Sequence, residues 1–393
     1  MPRAGVRAAA SAVVVALTSM LLGCAGASGP ASPPPPDAEA TAAPPAAAAT
    51  AAPQAASAEG APTLIAHAAL PPGTTLEGLE VGGLSDLEYD ARRDLFWAVV
   101  DDVPDHPPAR LLSLRWHPPA PPEPLGWLLL LEADGTPLAA EGADLEGLVL
   151  TPEGGFVVSS EGWVDSGIAP WVGRFDSDGR LRGRLDVPHH LRPGVRRGAR
   201  NNAGFEALTL LPDGRLLAGV EAALLQDDPT ATGAASDGAT LVRLLRWSDE
   251  GGLPDEWVAA VEPSHARAPL PGGLRVNGLV DVLPMPGGSG GLLTLERSFV
   301  AGALPAFRVR LFATELAAAA QVTGRDSLAA GAPEPPPKRL VLDLADLGVA
   351  VDNYEALAWG PPGPDGAATL VVTSDNNFSG TAPSHWLALR WPG

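Results

Sequence analysis

Pairs of carboxylates recur along the chain at a nearly constant spacing. Four pairs are fifteen residues apart, and the fifth is longer because the Gly- and Pro-rich segment 360–366 lies between its members. The first acids of the pairs are Asp86, Glu146, Glu206, Asp281 and Glu355, and the second acids are Asp101, Glu161, Glu221, Glu296 and Asp375. Carboxylates that converge raise one another's pKa unless cations or backbone donors balance them. The pattern therefore indicates either a cation site or a ring of structural acids.

Calcium is the cation that best suits such a set of residues. Ca²⁺ takes six to eight oxygen ligands, from carboxylates and from amide carbonyls. Asn376 directly follows the acid Asp375, and other asparagines near the acids are Asn201, Asn202, Asn277 and Asn377. We predict that the ten acids and Asn376 provide ligands for Ca²⁺. Bound calcium would also make an acidic surface attractive to phosphate groups.

One arginine stands directly beside a paired acid, because Arg297 follows Glu296. Its guanidinium could clamp an anionic substrate or pair with a carboxylate, and the sequence leaves both interpretations open. These two residues, together with Glu206 and Glu221, are our candidates for catalytic residues. The alternative for the first acids is purely structural: acids at the starts of repeated strands often accept hydrogen bonds from backbone N–H groups of the neighbouring repeat.

The elements that must position these acids are short antiparallel strands. Each first acid lies at the start of a short strand, a turn such as 152–155 or 212–214 follows, and an apolar strand then leads to the second acid. Fifteen residues suffice for a strand, a tight turn and a second strand, which returns the chain to the end where it began. We therefore expect the two acids of each repeat to lie near the same face of the sheet.

Five such repeats, each with a third strand of alternating polarity, predict an all-β fold. A fourth strand is plausible at 181–187 and at 257–261. Repeats of three to four antiparallel strands suit radial closure, because a closed ring removes exposed sheet edges. We predict a β-propeller with five blades, or with six if segments 63–81 and 125–137 form another. A pair of β-sandwiches is the alternative fold, but it would not explain the constant spacing of the acids.

The N-terminus has the pattern of a lipoprotein signal peptide. Arg3 and Arg7 precede an apolar stretch over 8–22 that is too short to span a bilayer and leads to the single cysteine, Cys24. The following residues are almost entirely Ala, Pro, Ser, Thr and Gly, and they lack an apolar face. We predict a signal peptide over 1–23, a lipidated Cys24 with a disordered tether over 24–62, and one β-propeller domain over 63–393.

Charge and the predicted anchor restrict the partners. The formal net charge of −20 repels nucleic acid and anionic lipid surfaces. We expect a monomer that binds a small anionic substrate through an intervening cation and contacts the membrane through the lipid at Cys24. Ala25 and Gly26 lack the aspartate associated with retention in the inner membrane, which favours export to the outer membrane of a Gram-negative bacterium.

Several motifs resemble the phytase-like domain family, also described as esterase-like activity of phytase. They are NNAGFEALTLLPDG at 201–214, LER at 295–297, DNYEALAW at 352–359 and VTSDNNF at 372–378. The resemblance covers essentially residues 75–391. It implies a β-propeller and, by analogy with β-propeller phytases, calcium-dependent hydrolysis of phosphoesters.

Three functional hypotheses remain open. The first is a cell-envelope phosphoric monoester hydrolase that depends on calcium and uses a metal-bound water as nucleophile. The second is a lactonase or carboxylester hydrolase, since other propellers hold calcium among Glu, Asn and Asp in the channel. The third is a non-catalytic binding propeller that calcium only stabilises. Turnover of phosphoesters would support the first hypothesis, and turnover of lactones alone would support the second. Stabilisation by calcium without turnover would support the third.

Overall fold

The computed structural model describes residues 60–101, 105–139, 143–228, 238–248, 251–270, 273–287 and 290–392. The predicted signal peptide, the lipidation site Cys24 and the predicted tether up to residue 59 lie outside the described residues. Within the described ranges, no helix is long and apolar enough to cross a membrane. The helical segments described there are 3-10 turns at Val164–Ser166, His189–Leu191, Leu316–Ala318 and Leu344–Leu347.

The described chain forms five four-stranded antiparallel sheets arranged as blades in a ring, which confirms the predicted β-propeller. The strands that precede the first complete blade are β1 (Thr63–Leu70), β2 (Thr75–Leu76) and β3 (Leu79–Glu80). Blade 1 contains β4 (Leu84–Asp90), β5 (Leu95–Val100), β6 (Arg110–Arg115) and β7 (Glu123–Leu129). Blade 2 contains β8 (Leu145–Leu150), β9 (Phe156–Ser160), β10 (Trp171–Phe175) and β11 (Leu181–Arg184).

The remaining three blades continue the same order. Blade 3 contains β12 (Phe205–Leu210), β13 (Leu216–Val220), β14 (Thr240–Trp247) and β15 (Asp255–Val261). Blade 4 contains β16 (Arg275–Pro284), β17 (Gly291–Val300), β18 (Phe307–Glu315) and β19 (Lys338–Asp343). Blade 5 contains β20 (Tyr354–Trp359), β21 (Thr369–Ser374), β22 (Ser384–Arg390) and, as its outer strand, β1.

Strand β1 closes the ring, because it pairs antiparallel with β22 and so joins the N-terminal part of the propeller to its C-terminal blade. The two segments considered for a sixth blade, both within the described residues, therefore form no blade of their own. Residues 63–70 complete blade 5, and Glu123–Leu129 is the outer strand of blade 1. Within the described chain the propeller thus has five blades, and β1 covers the edge of β22 at the ring closure.

Apolar side chains fill the spaces between adjacent blades, with one buried cluster for each of the five interfaces. The innermost strands β4, β8, β12, β16 and β20 contact one another in cyclic order around the axis. Where β8 meets blade 3 the approach is so close that a Cβ at Gly147 would collide with Leu208. The turn after β8 places Gly154 at a φ of +88°, a conformation that glycine adopts without strain. This arrangement brings the starts of all five inner strands together at one end of the ring.

Candidate metal and active site at the end of the ring

Backbone pairing identifies which residues occupy equivalent positions at the ends of the second strands. In four blades, the backbone N–H of an acid donates to the carbonyl of the residue directly before the inner strand of the same blade. These acids are Asp101, Glu161, Glu221 and Asp375. In blade 4 the equivalent residue is Arg297, which pairs with Gly278, whereas Glu296 pairs with Leu279. A cation therefore takes the position that an acid takes in the other four blades.

The first acids occupy two different positions, which the sequence spacing does not distinguish. Three of them lie within the β-bulge of the inner strand, namely Glu146, Glu206 and Glu355. In blades 1 and 4 the bulge falls at Ser85 and Val280, and the acid follows one residue later. The fifteen-residue spacing therefore marks equivalent positions in blades 2 and 3 but not in blades 1 and 4.

Asp86 and Asp281 connect neighbouring inner strands. Oδ2 of Asp86 accepts a hydrogen bond from the N–H of Leu148 at 2.6 Å, and Oδ2 of Asp281 accepts one from Leu357 at 2.6 Å. The other oxygen of each carboxylate accepts from the N–H of the following residue. All four oxygens thus bind strand backbone, which is the structural alternative weighed for the first acids.

The other predicted acids, except Glu296, form together with Arg297 what we call the mouth cluster. Its members are Asp101, Glu146, Glu161, Glu206, Glu221, Arg297, Glu355 and Asp375, which interact electrostatically. One carboxylate oxygen from each of Glu161, Glu206 and Glu221 lies within 4.8 Å of the other two. The structure therefore brings together both acids of blades 2, 3 and 5.

Arg297 is the basic member of the mouth cluster. Its Nη2 lies 2.9 Å from Oε1 of Glu221 and 4.0 Å from Oε1 of Glu206. Its Nη1 donates to Glu355 and, at 2.8 Å, to Oδ1 of Asn353. Although burial disfavours the charge of Arg297, Glu355 and Glu221 hold its pKa above the usual value. The guanidinium thus pairs with carboxylates in this structure, and its role as a substrate clamp stays a prediction.

Burial and mutual repulsion raise the pKa values of the carboxyl groups in the mouth cluster. Burial is the largest cause for Glu146 and Glu161, and their acidic neighbours add to it. Burial, reinforced by Glu161 and Glu221, likewise raises the pKa of Glu206. The pKa of Glu355 rises to about 8 through burial, although Arg297 opposes the shift. Seven acids around one arginine therefore leave an excess of negative charge that a cation would relieve.

Besides Asp86 and Asp281, two further predicted ligands lie outside the mouth cluster. Glu296 accepts from Nζ of Lys338 and, at 2.9 Å, from the N–H of Glu262, so its carboxylate binds a different part of the blade. Oδ1 of Asn376 accepts from the N–H of Gly83 at 3.2 Å and from that of Phe378 at 3.1 Å. Asn376 therefore helps to join blade 5 to blade 1.

An all-oxygen donor set with one unpartnered buried atom fits a hard divalent cation such as Ca²⁺. Glu161 is 2% exposed, and its Oε1 accepts from the N–H of Gly204. Its Oε2 has no hydrogen-bond partner among the described residues. Leaving a carboxylate oxygen buried without a partner is unfavourable. Glu161, Glu206 and Glu221 are therefore the residues that would hold the ion.

Sequence reasoning assigned no role to three polar residues near the paired acids. Asp144 interacts electrostatically with Glu146 and Glu161 and helps to raise their pKa values. Asn353 binds Arg297, and it occurs in the motif DNYEALAW without having been assigned a role. Glu88 interacts electrostatically with Asp86 and Asp281, and burial raises its pKa to about 8. The signal for Glu88 was its place two residues after Asp86, since residues i and i+2 of a strand share a face.

Comparison with known proteins identifies the family of the chain but no curated relative of known activity. The profile of the phytase-like family, described as esterase-like activity of phytase, matches residues 79–378. No curated protein matches the chain.

Three solved structures match the chain at low identity and with low TM-scores. The tail fibre of Staphylococcus aureus phage P68 has a TM-score of 0.37 at 11% identity, over 85% of this chain, which spans 53% of the fibre. A GH43_1 enzyme from Xanthomonas citri gives 0.42 at 13% identity, covering 83% of this chain and 90% of the enzyme. CoXyl43, a GH43 β-xylosidase/α-arabinofuranosidase from a compost metagenome, gives 0.42 at 11%, covering 84% and 94%. Similarity at this level bears on no question of activity.

Proposed function

The chain belongs to the phytase-like family, and we propose on that basis that it is a calcium-dependent hydrolase of phosphate esters. The observation that carries the proposal is the unpartnered Oε2 of Glu161, which is buried beside the carboxylates of Glu206 and Glu221. A cation at these oxygens would give that atom a partner and offset the excess negative charge of the mouth cluster. An anionic substrate would otherwise be repelled by this end of the ring.

The proposal gives each residue of the site a definite task. Glu161, Glu206 and Glu221 would hold the ion, and Arg297 fixes Glu221 and Glu355 by direct ion pairs. When bound, a divalent cation supplies positive charge for a phosphate group and lowers the pKa of a coordinated water. Burial raises the pKa of Glu355 to about 8, so its carboxyl could accept or donate a proton near neutral pH. Glu296 has no part in the proposal, because Lys338 and Glu262 engage its carboxylate.

The proposed location is the cell envelope, with the propeller anchored by lipid at Cys24 and exported to an outer membrane. The sequence before residue 63 supports this, since it has the pattern of a signal peptide, a single cysteine and a Pro-rich tether. We propose that the protein acts as a monomer on a small anionic substrate. Radioactive palmitate labelling of the full chain and of Cys24→Ser tests the anchor, since only the native chain should be labelled.

The activity is tested with the purified full chain and a substrate panel. The panel contains phytate, a simple phosphomonoester, a phosphodiester and a lactone, each assayed with excess calcium and with excess EGTA. We expect phosphate release that requires calcium. Glu161→Gln should reduce turnover and raise the calcium concentration needed for half-maximal activity. Glu153→Gln, an exposed change in the turn of the same blade, should leave both unchanged.

Other outcomes would contradict the proposal. Turnover of the lactone alone would identify a carboxylester hydrolase. Thermal stabilisation by calcium without turnover of any substrate would identify a binding propeller. If the native chain and Glu161→Gln depend on calcium equally, the ion does not bind at Glu161.

A further inference from the structure

A second group of metal-binding side chains lies outside the mouth cluster, where segments distant in sequence meet. His189 and His190 belong to the connection between blades 2 and 3, and Asp326 belongs to the long connection between β18 and β19. One ligand atom from each of the three lies within 4.8 Å of the other two. Nε2 of His189 is 2.9 Å from Oδ1 of Asp326. Sequence spacing does not predict this group, because its aspartate lies far from its two adjacent histidines along the chain.

The surroundings of His190 fix which ring nitrogen can bind a metal. Its Nε2 lies 2.8 Å from Oε2 of the buried Glu256, and Nη1 of Arg243 also contacts that oxygen at 2.9 Å. Nη1 of Arg243 lies 3.3 Å from Nε2 as well, so the contacts of this ring nitrogen are with blade 3. The other ring nitrogen, Nδ1, is therefore the one left for a metal. A carboxylate that orients a histidine in this way is the usual outer partner of a metal-bound imidazole.

We propose that His189, His190 and Asp326 bind Zn²⁺. Two imidazoles and one carboxylate suit zinc better than calcium, which prefers oxygen ligands throughout. The neighbouring residues of the second segment already lie against blade 3: the N–H of Val322 donates to the carbonyl of Glu256, and that of Leu328 donates to Oδ1 of Asp227. The ion would fasten this segment to the connection between blades 2 and 3. It would thus link two parts of the ring that sequence separates.

Zinc binding is measured on the full chain, stripped with a chelator and kept in excess calcium so that the mouth cluster does not compete. We expect the native chain to bind one Zn²⁺ at this site by titration calorimetry, with imidazole scattering in its X-ray absorption spectrum. His189→Ala and Asp326→Asn should each weaken binding by at least about ten-fold, the loss that even a change in an outer partner causes. Both side chains are about two-thirds exposed, so neither change disturbs the core.

The matched control is His117→Ala, because His117 forms an exposed pair with Asp94 at 3.1 Å and has no second histidine beside it. Its zinc affinity should equal that of the native chain. Zinc should also raise the melting temperature of the native chain and of His117→Ala, but not of His189→Ala. The proposal fails if the native chain binds no zinc under these conditions. It also fails if all variants bind zinc equally or if the absorption spectrum lacks imidazole. None of these results depends on hydrolytic activity.

Discussion

The guanidinium of Arg297 is in contact with Glu221 and Glu355, and it lies 4.0 Å from Glu206. Replacing it by methionine would leave these carboxylates buried without their counter-charge. Removing one partner of a buried ion pair usually costs about 3–5 kcal/mol, so we expect a loss of that order in the free energy of unfolding of Arg297→Met. Urea denaturation in EGTA at pH 9, above the pKa of about 8 of Glu355, measures it.

The control for this change is an arginine on the surface. Arg308 pairs with Asp343 at 2.7 Å but is 46% exposed, so Arg308→Met should cost only about 0–1 kcal/mol. Adding Glu221→Gln and Glu355→Gln to Arg297→Met should recover part of the lost stability, because the unpaired charges are then removed. Equal stability of the two arginine variants would show that Arg297 does not balance the mouth cluster.

The raised pKa values of Glu88 and Glu355 determine how stability changes with pH. Burial raises each pKa from 4.5 to about 8, so between these values the folded chain holds protons that the unfolded chain has released. The contribution of these two groups to the free energy of unfolding is therefore greatest below pH 4.5. It is lost as the pH rises towards 8. Each group contributes up to about 1.4 kcal/mol per pH unit in that window.

This pH dependence is measured by urea denaturation in EGTA from pH 5 to pH 8. Glu88→Gln removes one of the two groups and should make the decline shallower. Glu153→Gln, which alters an exposed turn, should leave it unchanged. A stability that increases steadily with pH through this window would contradict the prediction.

At the scale of the elements, single carboxylates join adjacent inner strands. Asp86→Ala removes the acceptor for the buried N–H of Leu148, which should cost about 1–3 kcal/mol. Asp86→Asn keeps one acceptor oxygen and should cost less. Hydrogen exchange at Leu148 should be faster in the alanine variant, and Asp281→Ala should have the same effect at Leu357. If exchange at Leu148 is unchanged, the two strands do not depend on this bond.

The repeated strands could be predicted from sequence because turn residues and apolar runs report local structure directly. The position of each acid relative to the β-bulge could not, because the bulge recurs in all five inner strands while the length of the following hairpin differs between blades. Val280 in the bulge of blade 4 is 17 residues from Arg297, whereas Glu206 in the bulge of blade 3 is 15 residues from Glu221, so Arg297 rather than Glu296 lies at the mouth cluster. Asp86 follows the bulge of blade 1, and its carboxylate binds the next inner strand. The pairing of His189 with Asp326 was equally inaccessible, since only the closed ring brings these segments together.

At the scale of the whole molecule, the five repeats are similar in plan but differ in charge at one end of the ring. Four blades supply an acid after the second strand and blade 4 supplies Arg297, so the arginine has acids on both sides. A ring with full repeat symmetry would have only repulsion at this end. The single arginine among the acids therefore explains how closely packed carboxylates are tolerated. Arg297 stays beside these acids only while all five blades remain closed around the axis.

Closure itself depends on β1, which pairs with β22 from Thr63 opposite Arg390 to Leu70 opposite Ser384. A chain that begins at Pro71 lacks this strand, exposes the edge of β22 and no longer buries Leu70. We expect it to lose at least about 2 kcal/mol of unfolding free energy, the contribution of one buried leucine, and to self-associate through the free edge.

A chain that begins at Gly60 keeps β1 and should unfold at the same urea concentration as the full chain, which makes it the matched control. A synthetic peptide of residues 60–70 should bind the chain that begins at Pro71, restore its urea midpoint and return it to a monomer in sedimentation, because added strands pair with free sheet edges. The same midpoint and monomeric state in both truncated chains, without peptide, would mean that the ring closes through contacts other than β1.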